Sequence, residues 1–215
     1  MKPTFYLLTL ALVLINTIYA GHPEKNADGF VSLAADGELT GLETEGNWQA
    51  KENGVVDLEP REGEEGWKRY HHYLWTTEKY GDFIFDFEYK HGEGGNSGFH
   101  FRIDDREDPV AGGFEVQILD SMGLDDEKMG HHDLGGVIKT RGATKNMSKP
   151  AGEWNRMTVK MEGSHLTVVI NGETVQDFDL AEEKEEGKKL ADEGWIAIQD
   201  HGESFQVRNL QVKRL

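Results

Sequence analysis

The residues of this chain best suited to chemistry lie between Gly94 and Asp120, a stretch reading GGNSGFHFRIDDREDPVAGGFEVQILD. Two runs within it alternate strictly, Phe99-His100-Phe101-Arg102-Ile103 and Phe114-Glu115-Val116-Gln117-Ile118, each introduced by glycine. Alternation at period two marks half-buried strands. Phe99, Phe101, Ile103, Phe114, Val116 and Ile118 are then expected in a core, with His100, Arg102, Glu115 and Gln117 on the opposite face. An imidazole, a guanidinium, a carboxylate and an amide on neighbouring strands can move a proton, hold an anion and grip hydroxyl groups. An ordinary outer sheet face whose polar residues pair with one another is the alternative.

A third strand, Trp195-Ile196-Ala197-Ile198-Gln199, adds to the same inventory. Ile196 and Ile198 face inward, so Trp195, Gln199 and, if the strand extends, His201 share the outer face. An indole beside an amide and an imidazole suits a sugar ring, whose apolar face rests on the aromatic while its hydroxyls meet fixed polar groups. The strand parities predict His100, Arg102, Glu115, Gln117, Gln199 and His201 along one concave sheet face. Glu115 and Asp120 are a further pair to weigh, because a retaining glycosidase needs two carboxyl groups about 5 Å apart. Five residues apart on one strand they point to opposite faces, so that pairing requires a bulge at Leu119.

Other chemistries lack their motifs. His131-His132-Asp133 offers zinc-ligand types without a third, distant ligand, and His71-His72 does the same, so both read as solvated loop. Asp125-Asp126-Glu127 lacks the alternating ligands and glycine of a calcium loop. Gly95-Asn96-Ser97-Gly98 is not a nucleophile elbow. No metal site and no cofactor are expected, although a divalent metal stays open. The 215 residues contain no cysteine, which removes disulfides, thiolate ligands and thiol nucleophiles. With 23 Lys and Arg against 40 Asp and Glu the net charge is −17, which repels nucleic acid and anionic membrane surfaces.

The elements that must position these side chains are short strands. Asn53-Gly54 and Asn171-Gly172 are hairpin turns between strand-like runs. Phe83, Phe85, Phe87 and Tyr89 alternate with Asp86 and Glu88 as another core strand. Asp120 to Pro150 is a long Gly-rich connection, of a length that is usually functional or mobile. Ala181 to Asp192 is the one candidate helix, supported by the Glu185/Lys189 pair and opposed by Gly187, with a charged loop as the alternative. The whole predicts an all-β, two-sheet antiparallel sandwich of jelly-roll type. Residues 1–20, a basic start, an apolar run and Ala20, predict a signal peptide with export to a periplasm or the cell exterior and no stable membrane insertion after cleavage. Residues 21–29 follow as a linker and 30–215 as one domain.

Taken together, GGNSGFHFR, GFEVQILD, AGEWNRMTVKMEGSHLTVVINGETV and GWIAIQDHGESFQVRNLQVKRL resemble the 3-keto-disaccharide hydrolase family, in family order from about Phe30 to Leu215. The resemblance implies a concanavalin-like lectin and glucanase jelly roll acting on glycosides oxidised at C3. It implies Glu115 or His201 as base, Glu115 or Asp120 as acid and Arg102 as stabiliser of an enolate. Asn96, His100, Gln117, Trp195 and Gln199 would hold the ring. The partner is then a carbohydrate, with oligomeric state open. Two other readings remain: a non-catalytic carbohydrate-binding domain on the same fold, and a retaining glycosidase using Glu115 and Asp120.

Overall fold

A computed structural model describes residues 25–215. The expected leader at 1–20 and the start of the linker lie outside the described residues. Thirteen strands follow in order: β1 (Val31–Ser32), β2 (Leu42–Glu43), β3 (Trp48–Ala50), β4 (Val55–Leu58), β5 (Leu74–Thr76), β6 (Phe83–His91), β7 (Asn96–Ile103), β8 (Phe114–Leu119), β9 (Asn155–Glu162), β10 (His165–Ile170), β11 (Glu173–Asp179), β12 (Trp195–Ile198) and β13 (Phe205–Arg214). They pair antiparallel in two sheets. The eight-stranded sheet runs β11-β10-β9-β6-β13-β4-β3, with β1 also on β13, and the five-stranded sheet runs β2-β5-β12-β7-β8.

The sheets stack because the odd positions of β6 meet the odd positions of β7. Phe85 lies 5.1 Å from Phe99, Phe87 5.7 Å from Phe99 and Phe83 6.4 Å from Phe101, ring centroid to ring centroid. All five rings are fully buried, each contributing roughly 1.5–3 kcal/mol of transfer free energy. Both expected hairpins form. At the second, Ile170 pairs with Glu173 and both Asn171 (φ 52°) and Gly172 (φ 89°) take the left-handed conformation that a two-residue turn demands. At the first, β3 and β4 pair through Ala50 and Val56 around a four-residue loop in which Gly54 takes the positive φ.

Two open readings of local structure are decided. The candidate helix at 181–192 is a single turn, Leu180–Glu183, capped by the Asp179 side chain on the Ala181 N–H; beyond it Gly187 (φ 80°) breaks any continuation. The long connection after Asp120 is an ordered cover rather than a free loop. Its residues 135–138 bond to β8 at Gln117 N to Gly136 O (2.8 Å), Gly135 N to Gln117 O (2.9 Å) and Ile138 N to Glu115 O (3.0 Å), closing the exposed edge of the sheet.

The largest departure sits at the end of β7. Arg102 takes φ 54°, and across from it Trp195 pairs with Ile103 while Ala197 pairs with His100, so Phe101 and Arg102 of β7 oppose the single Ile196 of β12. This bulge inverts the parity that alternation implied. Ile103 packs on the outer face with Tyr73, Trp75 and Ala197. Arg102 turns toward the eight-stranded sheet, where its guanidinium donates to the carbonyls of Ala191 (2.6 Å), Asp192 (2.5 Å) and Gly163 (3.0 Å) and to Asp82 Oδ1 (3.1 Å).

Candidate functional site

On the outer face of the five-stranded sheet a hollow of ≈ 280 Å³ is lined by Asn96 of β7, Glu115 and Gln117 of β8, and Gln199 and His201 after β12. Trp67, Val110, His132, Ile138 and Lys139 complete its wall from three separate loops. Four of the six residues expected on one face therefore meet here. The backbone explains why: β7 and β8 run in register with Gly98 opposite Gln117 and His100 opposite Glu115, and Gln199 N donates to Gly98 O at 2.9 Å. Gly98 is required at this spot. A Cβ there would overlap the Glu115 carboxyl, so glycine leaves the space that the carboxyl occupies.

Glu115 is the perturbed acid of the hollow. Burial raises its pKa to about 7, with Lys188 pulling modestly the other way. Beneath it lies His100, its Nε2 3.5 Å from Glu115 Oε1, fully buried and therefore held neutral with a pKa near 3. Because burial lifts the carboxyl above the imidazole, the proton of this pair resides on Glu115, and the contact is not an ion pair at acid pH. His100 was expected to touch a ligand; it lies below the floor instead, beside the Tyr73 ring at 5.4 Å. Neither of its ring nitrogens has a hydrogen-bond partner among the described residues.

A chain of side chains connects His201 to Glu115. His201 Nε2 lies 3.3 Å from the Asn96 amide, which lies 3.2 Å from the Gln117 amide. The Ser97 carbonyl decides the direction of this chain. If the Gln117 oxygen faced it, two acceptors would meet; turned over, Gln117 Nε2 donates to Ser97 O at 3.0 Å and to Glu115 Oε1 at 3.2 Å. Asn96, placed with Nδ2 toward His201 and Oδ1 toward Gln117, has to turn over with it to donate to Gln117, and it then accepts from a protonated His201 Nε2. The amides thus aim a donor at the Glu115 carboxylate and fix the His201 tautomer. Gln199 is held separately, donating to the Tyr73 hydroxyl at 3.0 Å, which in turn donates to the Trp67 carbonyl at 2.7 Å.

The other expected site residues lie elsewhere. Arg102 is on the far side of the sheet from Glu115, spent on the clamp described above, so it offers nothing to an enolate in the hollow. Asp120 accepts the backbone N–H groups of Gly94 (3.0 Å) and Met122 (3.3 Å) and fastens the end of β8. β8 stays in register to Asn96 opposite Leu119, so the bulge needed to bring Asp120 beside Glu115 is absent and the retaining pair is not formed. Trp195 is on the outer face but at the opposite end of β12, about 13 Å along the strand from Gln199, under Lys79 (4.1 Å) and Arg106 (5.5 Å).

Several lining residues had no sequence signal. Trp67 comes from an aperiodic charged loop, which Arg69 ties to fully buried Asp200 at 2.7 Å. His132, read as solvated loop, lines the hollow, with the His131 ring tilted against it at 4.1 Å. Among the described residues no three His, Cys, Asp or Glu side chains assemble as a metal site.

Residues 29–213 match the family model described as a 3-keto-alpha-glucoside-1,2-lyase-like domain. The chain belongs to that family. This is a carbohydrate-active domain, and its fold recurs in solved structures. A candidate glycosyl hydrolase from Parabacteroides distasonis ATCC 8503, solved at 2.00 Å, superposes with a TM-score of 0.71 at 23% identity, covering 86% of this chain and 99% of that one. A second from the same organism, solved at 1.70 Å, gives 0.71 at 22% identity, covering 88% and 95%. A Bacillus licheniformis beta-glucanase gives 0.50 at 9% identity, covering 90% and 95%. These likenesses establish the jelly-roll fold expected from the sequence. No curated protein sequence matches the chain.

Proposed function

We propose that the Glu115 hollow cleaves glycosides whose sugar carries a ketone at C3, by elimination across C1 and C2 followed by addition of water. The observation that carries this reading is Glu115 itself, a carboxyl raised to about 7 by burial and opening into a hollow walled by amides. A ketone at C3 acidifies the C2 hydrogen, and a base poised near neutrality is matched to removing it. Glu115 takes that proton, and the C–H electron pair moves onto the C3 oxygen as an enolate. Lys139, a cation on the wall, and the remaining amide N–H of Gln199 stabilise that charge. The enolate collapses, the C1–O bond breaks, and His201, acting from its doubly protonated form, protonates the departing oxygen. Water then adds at C1 and passes a proton to His201, while Glu115, its proton exchanged with solvent in the open hollow, protonates C2, so the net change is hydrolysis. If water does not add, the unsaturated sugar is released and the reaction is a lyase step. Gln117 and Asn96 act through the base and acid by orienting them, a role distinct from the direct ring contacts first assigned to them. The apolar run at 5–15 and Ala20 support export of the domain.

The test is incubation of the purified protein with a 3-keto glucoside and with its unoxidised parent, following release of the alcohol from each. Release from the keto compound alone supports the reading. Binding without release from either leaves a carbohydrate-binding domain in its place, and equal release from both points to an ordinary glycosidase.

A further inference from the structure

The Glu115 hollow does not end at its own wall. Beyond Trp67, Val110 and Lys139 the surface drops into a second hollow of ≈ 440 Å³, and those three side chains line both. The two form one groove, with the reacting carboxyl near one end and Tyr70 and Lys188 in the other.

We propose that the second hollow is the subsite for the leaving group and that it accepts a neutral group carrying a ring with an apolar face, either a second sugar or an aryl alcohol. The inference rests on the reading of Glu115 as the reacting centre. Trp67 is half-buried at the junction, and its ring lies 6.1 Å from that of Tyr70 at 45°. Two aromatic surfaces at a groove are a platform for a ring with an apolar face. The platform is rigid relative to the chemistry, because the Trp67 carbonyl holds the Tyr73 hydroxyl that also receives Gln199. The next residue but one, Arg69, is anchored on Asp200 beside Gln199.

Charge selects the ligand class. The chain is strongly acidic, yet this hollow balances Lys68, Lys139 and Lys188 against Asp108, Glu185 and Glu186. Such a rim repels neither sign and presents donors and acceptors to hydroxyl groups at a ring edge. A small alkyl leaving group reaches none of it.

The test compares 3-keto glucosides bearing methyl, glucosyl and phenyl leaving groups on the parent protein, Trp67→Ala and Val110→Trp. In the parent, kcat/KM for at least one ring-bearing substrate exceeds that for methyl by on the order of tenfold or more. Trp67→Ala collapses that ratio toward one, chiefly through KM. Val110→Trp, which narrows the junction without removing the platform, reduces the ratio as well. The glucosyl and phenyl arms identify which ring the site takes. Turnover of the methyl compound with a ratio near one in the parent, or a ratio unchanged in both variants, sinks the subsite and leaves the reaction standing. Absence of release from every keto glucoside removes the reacting centre, and the subsite with it.

Discussion

Burial raises the Glu115 pKa from 4.5 to about 7, and that has a cost in stability which Glu115→Gln should recover. A carboxyl whose folded pKa is raised stabilises the folded state fully below its unfolded pKa, and that contribution is lost as pH rises through the folded value. At pH 8 the folded protein carries a buried carboxylate that the unfolded chain would solvate. At 1.36 kcal/mol per unit the penalty is on the order of 3 kcal/mol above pH 7 and near zero below about pH 4.5. Glutamine keeps the shape and still accepts from Gln117, so the variant should be more stable than the parent at pH 8 and of similar stability at pH 4.5. Paired denaturant titrations at the two pH values give the difference directly, since the many other carboxylates and His100 are common to both proteins. The same variant should lose about 10²–10⁴-fold in turnover of a 3-keto glucoside. The parent's kcat/KM should fall about tenfold per unit below pH 7. Equal destabilisation of Glu115→Gln at both pH values would refute the burial argument, and retained turnover would refute the role.

Three further perturbations separate positioning from chemistry. Arg102→Ala removes four donor contacts between the sheets and should cost about 2–4 kcal/mol in denaturant unfolding, while the folded variant keeps the parental KM within about twofold; a selective loss of kcat would return Arg102 to the reaction. Gly98→Ala pushes on the Glu115 carboxyl and should lower turnover by about 10²-fold with KM little changed, and full activity would show that the space is not needed. Gln117→Leu removes the N–H aimed at the Glu115 carboxylate, so the acid limb of the pH profile should move to higher pH; an unmoved limb would show that this N–H does not support the carboxylate.

The sandwich was legible because its signals are local. The Phe83 to Tyr89 alternation, the Asn171-Gly172 turn and the Phe114 to Ile118 strand each specify a face or a turn without reference to the rest of the chain. Glu115, Gln117, Gln199 and His201 were placed together by parity alone. Parity failed at Arg102 because a single residue at positive φ shifts the count by one, and Arg102-Ile103 reads as regular alternation either way. His100 has the right parity but lies too deep, which pattern cannot register. Asp120 carried an expectation that needed a bulge, and β8 has none. Trp67, His132 and Lys139 arrive from loops whose only signal is composition, and their convergence depends on long-range ties such as Arg69 to Asp200. The Glu185/Lys189 pairing favoured a helix, but Lys188 and Lys189 instead bond to Val110 O (2.8 Å) and Asp104 (3.0 Å).

The most direct measurement of the central claim is the fate of the C2 hydrogen. When a 3-keto glucoside is cleaved in deuterated water, return of a solvent-derived proton from Glu115 should place deuterium at C2 of the released sugar, read by NMR against an enzyme-free control and absent with Glu115→Gln. Release of the sugar with its C2 hydrogen intact, in the parent protein, would contradict elimination across C1 and C2.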